Sequence, residues 1–108
     1  MEIREVVENH VKDYLVKNIS LLPDSIRTNE RNLNHVEDIA TSIMCTKWDV
    51  SYPGGSFVTA LVNNKLKETF GLADDVCKNA IPFFIMMVNN LDMPREVYMS
   101  KIEYTETR

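Results

Sequence analysis

Three groups of residues in this 108-residue chain are of types that could do chemistry. The first is Gly54-Gly55-Ser56. Free N–H groups at a helix start, joined by a hydroxyl, would hold a phosphate or carboxylate without a basic residue. Asn63, Asn64, Lys65 and Lys67 follow with amide and ammonium donors, and a helical wheel sets Lys65 at the edge of an apolar arc, where a buried stem would aim its charge at a ligand. Plainer readings exist for both, a tight turn with a Ser cap and a solvated helix face. No Gly-Lys-Ser or Gly-Lys-Thr follows the glycines, so this is not a Walker loop. The second group is His10 and His35, far apart and without Cys, Asp or Glu at metal-ligand spacing, so no metal and no cofactor are expected. The third is Asp74-Asp75. Neighbouring helical side chains diverge by about 100°, and Asp74 is better placed to cap a helix than to share acid–base work. Nothing pairs a nucleophile with a base and an orienter, so no catalytic residue and no enzyme activity are expected.

The elements that must position these residues are helical. From Ile3 to Leu22, Ile3, Val7, Val11, Tyr14, Leu15, Ile19 and Leu22 recur every three or four positions, which predicts one amphipathic helix stopped by Pro23. Residues 24 to 34 are polar and read as a loop with a single helical turn. A second helix is expected from Asn34, with Asn34 and Glu37 at capping-box spacing, burying Val36, Ile39, Ala40, Ile43, Met44 and Trp48. After the Pro53-Gly54-Gly55 reversal, Phe57, Val58, Leu61, Val62, Leu66 and Phe70 predict one continuous central helix, with Gly71 as its left-handed cap. Asp74 starts a fourth helix, in which Pro82 either makes a kink or opens a new helix capped by Asn79. Residues 83 to 88 are apolar all round, and a buried strand is the minority reading of the same run. A short last helix, Arg95 to Ile102, follows Pro94, and 105–108 fray. The expectation is an all-α single-domain bundle of four to five helices over residues 1–104.

The all-round apolar run implies a homo-oligomer, with Phe83, Phe84, Met86 and Met87 at the interface. Charge and composition narrow the partners. A net charge of -4, with twelve scattered Lys and Arg, disfavours binding to nucleic acid phosphates. Two cysteines without a CxxC, an opening Met-Glu-Ile-Arg-Glu unlike a signal peptide, and no apolar run of about 18 residues point to the cytoplasm and away from membranes. The hydrophobic share of 44% and charged share of 26% fit an ordered globular chain.

Pro53, Gly54, Gly55, Phe57, Asn64, Leu66, Ala73, Asp74, Ile81, Pro82 and Asn90 fall in register with a Pro-Gly-Gly-Phe-Leu, Asn-Asp-Leu, Ala-Asp, Leu-Pro pattern. Over about a third of its length the chain thereby resembles a widespread group of small phage and prophage proteins of mostly unassigned function. Three departures stand out: Ser56 is inserted before Phe57, Lys65 stands in place of an Asp, and Cys77 in place of an Asn. The group's Gly-Ser-Trp region is also missing. The resemblance implies a phage origin and action in a bacterial host's cytoplasm, where small non-enzymatic proteins often blunt host immunity. The expected function is sequestration of a small anionic, cyclic-nucleotide-like signal by Tyr52, Gly54, Gly55, Ser56, Asn64 and Lys65. The alternative is a protein inhibitor of a defence nuclease or complex, using an acidic face of Glu2, Glu5, Glu8 and Asp13. A structural or transcription-linked phage accessory protein is the third class.

Overall fold

A computed structural model describes residues 2–50 and 54–106, with side chains to residue 102. Seven α-helices and no strand occur among the described residues: α1 (Ile3–Lys17), α2 (Asp24–Arg27), α3 (Glu30–Lys47), α4 (Ser56–Val62), α5 (Leu66–Leu72), α6 (Asp75–Asn90) and α7 (Arg95–Glu106). The all-α class stands, with more helices than the four to five expected. Each extra boundary has a local cause. The first helix closes at Asn18, whose side chain turns back to donate to the Tyr14 carbonyl at 2.9 Å, and Ile19–Leu21 continue as a 3₁₀ turn. The second long helix starts at Glu30 rather than Asn34, because Asn29 Oδ1 accepts from the Asn32 N–H at 3.1 Å and caps it.

The central helix expected over residues 57–70 is two helices. Asn64 sits at φ 60°, the Lys65 N–H reaches the Ala60 carbonyl at 2.9 Å, and the Asn64 N–H reaches Leu61 at 3.1 Å. This 6→1 and 5→2 pairing is a Schellman ending, and asparagine is the residue other than glycine that best tolerates its left-handed position. Asp49, at φ 56°, ends α3 in the same way through Val50 to Cys45 and Asp49 to Thr46 bonds. Gly71, expected as the left-handed cap, lies inside α5, and no glycine among the described residues has positive φ.

Pro82 lies within α6, which runs unbroken for 16 residues from its Asp74 cap. Asn79 is an interior residue whose amide donates to the Asp75 carbonyl, so it caps nothing. The last helix extends to Glu106, beyond the expected end at Ile102 and into the tail expected to fray; residues 107 and 108 lie outside the described residues.

α3 packs against α1, α2, α4 and α6, and α7 closes on α1. The core joins Val7, Val11 and Leu15 of α1 to Val36, Ala40, Ile43 and Met44 of α3 and to Ala80, Phe83, Phe84 and Met87 of α6. Tyr14, Phe83, Phe84 and Phe57 form a chain of rings with centroids 5.8, 5.9 and 6.0 Å apart, in tilted and edge-on contacts. α6 is therefore greasy on several sides because several elements of its own chain cover it. Phe83, Phe84 and Met87 are completely buried, which corrects their assignment to a surface between subunits. Of those four residues only Met86 reaches solvent.

Candidate functional site

The reversal before α4 differs from an anion cradle. The Gly54 N–H donates to Thr46 Oγ1 at 2.9 Å, so it is not free for a ligand. The need for glycine here is one of space: a Cβ at Gly54 would lie 2.4 Å from Val58 Cγ1 and 2.5 Å from its Cβ, and Val58 is buried. Gly55, by contrast, faces open space. Tyr52, the expected stacking residue, lies outside the described residues.

Two of the six expected ligand residues do meet. Ser56 and Lys65 line one open cavity of about 420 Å³ between α4 and α5, with Thr59, Ala60, Asn63, Glu68 and Leu72. Asn63 is in the lining and Asn64 is not, since the left-handed turn at Asn64 swings the chain at that point. Glu68 adds a carboxylate that works against a phosphate.

Breaking the central helix also reorients its second half. α5 buries only Thr69, whose hydroxyl donates to the Lys65 carbonyl at 2.7 Å, while Leu66 is 54% and Phe70 44% exposed. These two are one turn apart on the same face. Leu72 is exposed on the other side of Thr69, in the cavity lining. α5 packs chiefly on α4, so its apolar residues gain little from their own chain. α7 also exposes Tyr98 and Met99, but it buries Val97 against the core; α5 buries no large apolar side chain.

The acidic face of α1 is partly neutralised. Glu8 pairs with Lys12 at 3.3 Å and Asp13 with Lys17 at 3.0 Å, leaving Glu2 and Glu5 as the acids of that set without an ion pair among those described. Lys12 also reaches Glu37 of α3 at 3.6 Å.

A further cluster joins α3 to the start of α6. His35 Nε2 lies 2.8 Å from Asp74 Oδ2 and 3.7 Å from Cys77 Sγ, while Asp74 Oδ1 accepts from the Cys77 N–H at 2.7 Å. The three donor atoms fall within 4.8 Å of one another. Burial, then the adjacent Asp74 carboxylate, pushes the Cys77 thiol up to about 12. Burial also works to raise Asp74, but the Cys77 N–H and the His35 ring outweigh it and hold that carboxyl below its ordinary value. A nucleophilic relay uses one ring nitrogen for the thiol and the other for the carboxylate. Here a single nitrogen faces both groups, and the thiol is protonated at neutral pH. The arrangement has the donor set of a metal site rather than that of an activated nucleophile.

Sequence neighbours could not disclose this cluster, because Asp74 and Cys77 lie 39 and 42 positions from His35 and only the packing of α6 on α3 brings them together. The one available signal was the i, i+3 spacing of Asp74 and Cys77 at a helix start. His10, the other histidine, stands 3.7 Å from Glu96 of α7 at the edge of a separate groove. No family model, no curated protein and no solved structure matches the chain.

Proposed function

We propose that this protein is a non-enzymatic accessory protein of the phage type that acts by binding a host protein, as an inhibitor of a defence complex would, with the Leu66 and Phe70 face of α5 as its recognition surface. The observation that carries this reading is the inverted burial of α5, which hides a threonine and presents two large apolar side chains to water. Exposed apolar side chains grouped on one helix are the usual mark of a protein contact, and helix-in-groove recognition reads anchors at i and i+4. The partner's surface is then an apolar groove. This moves the contact from the acidic face of α1, where lysines already answer Glu8 and Asp13.

A second reading, sequestration of a small anionic signal, is favoured by the meeting of Ser56, Thr59, Asn63 and Lys65 around one cavity. Glu68 in that wall suits a ligand with sugar hydroxyls better than a bare phosphate.

One comparison separates the two. Wild type and the Leu66→Asp/Phe70→Asp double variant are used to capture proteins from a bacterial host lysate. Melting is recorded alongside with cyclic di- and trinucleotides and ADP-ribose derivatives. Docking predicts a host protein held by wild type and lost by the double variant. The variant's own stability should stay within about 1 kcal/mol, about 0.5 for each exposed site. Equal capture by both proteins contradicts it. A melting shift with a nucleotide, abolished by Lys65→Glu, supports the second reading instead.

A further inference from the structure

We propose that His35, Asp74 and Cys77 form a binding site for a zinc-type divalent transition metal, clasping the N-terminal third of α3 to the start of α6. The donor set is the first argument. Thiolate sulfur, imidazole nitrogen and carboxylate oxygen together select a borderline-soft ion such as Zn²⁺ or Co²⁺ over Mg²⁺ or Ca²⁺, which take oxygen.

Spacing is the second. Tetrahedral zinc with ordinary bond lengths separates its nitrogen and sulfur ligands by about 3.6 Å and its nitrogen and oxygen ligands by about 3.3 Å. His35 Nε2 and Cys77 Sγ are already 3.7 Å apart, and the 2.8 Å hydrogen bond to Asp74 Oδ2 has to open by about half an ångström. His35 and Asp74 are each partly exposed, so their side chains have room for that adjustment.

The backbone already holds two of the ligands. Asp74 uses Oδ1 to cap α6 through the Cys77 N–H, which fixes the carboxylate and the cysteine relative to each other and leaves Oδ2 to face the histidine. Cys77 is buried, whereas His35 also lines an open cavity of about 470 Å³ with Glu30, Arg31, Asn34 and Asp38. A fourth ligand, a water, enters from that side. Glu30 and Asp38 there favour a cation, and Arg31 alone opposes it.

In the tautomer that carries its one proton on Nε2, the His35 ring donates to Asp74 Oδ2. On binding, that proton moves by way of solvent to Nδ1, which frees the Nε2 lone pair, and the Cys77 S–H proton leaves to buffer. The net reaction releases one proton per metal and involves no oxidation.

Co²⁺ is the spectroscopic probe and Zn²⁺ the competitor. Titrated into the reduced full-length protein, Co²⁺ is expected to bind one per chain, with a thiolate-to-cobalt charge-transfer band and tetrahedral d–d bands that Zn²⁺ removes. Cys77→Ser should lose the charge-transfer band. His35→Gln and Asp74→Asn, the latter retaining the α6 cap, should each weaken binding at least tenfold. Cys45→Ser, which removes the other buried thiol, should leave the spectrum unchanged. At a free Zn²⁺ level a hundred times the wild-type Kd, the wild-type unfolding equilibrium should move about a hundredfold toward the folded state, against about elevenfold for a variant that binds ten times more weakly. A wild-type protein without the charge-transfer band, a band that survives Cys77→Ser, or equal Zn²⁺ stabilisation of wild type and His35→Gln would overturn the site.

Discussion

Phe83→Ala is expected to cost about 3–5 kcal/mol of folding stability, the range for truncating a large aromatic ring in a well-packed core. Phe83 is completely buried, and its ring meets Tyr14 of α1 at 5.8 Å and Phe84 at 5.9 Å, so its loss opens a cavity between α1 and α6 and breaks the chain of rings at its middle. With native stabilities of about 5–15 kcal/mol, a change of this size removes a large share of the total. Urea unfolding checks it, with the midpoint falling and the slope unchanged. The same experiment decides where Phe83 is buried. Burial within the chain predicts a cost independent of protein concentration. A cost that grows as the protein is diluted would place Phe83 between subunits after all.

Asp74→Ala is expected to lower stability at pH 7 by about 1 kcal/mol or somewhat more, because it removes the α6 cap together with the His35 contact. Asp74→Asn keeps a side-chain oxygen for the Cys77 N–H and should recover most of that loss. Acid then distinguishes the charge from the cap. The Asp74 carboxyl is held below its ordinary value of 3.8 in the folded chain, so its ionised form stabilises the fold above the unfolded value. That contribution disappears as pH falls through the lower, folded-state value. The gap between wild type and Asp74→Asn should therefore close as acid protonates Asp74, while the gap between Asp74→Asn and Asp74→Ala persists. Chemical denaturation of the three proteins at neutral pH and at successively lower pH measures both gaps. A constant gap between wild type and Asp74→Asn would show that the carboxylate charge contributes nothing.

Much of this architecture can be read from residue spacing. The apolar recurrence that runs from Ile3 along α1, the Asp74 cap and the apolar face of α6 are all local patterns, and local hydrogen bonding and burial decide them. Boundaries set by asparagine were harder. Asn18, Asn29 and Asn64 each end or start a helix through a different bond, and the wheel of residues 57–70 shows an unbroken apolar arc across a break that depends on one left-handed Asn64. That one angle turns Leu66 and Phe70 from expected core residues into surface ones. The all-round greasiness of residues 83–88 has the converse lesson: it signals many neighbours, and whether these belong to the same chain or to a second copy is a tertiary matter. Of the expected ligand residues, Ser56 and Lys65 line the same cavity, from the two ends of the short helix α4. The His35 cluster depends on two helices meeting, which no spacing within either helix encodes.

Site-specific photocrosslinking in a bacterial host tests whether α5 is the contact surface. A photoreactive residue is placed in turn at positions 66 and 70 of α5 and at positions 2 and 5 of the acidic N-terminal region. A covalent adduct with the same host protein is expected from 66 and 70 and none from 2 or 5. Adducts from 2 or 5 alone, or adducts from 66 and 70 only with further copies of this chain, would contradict it.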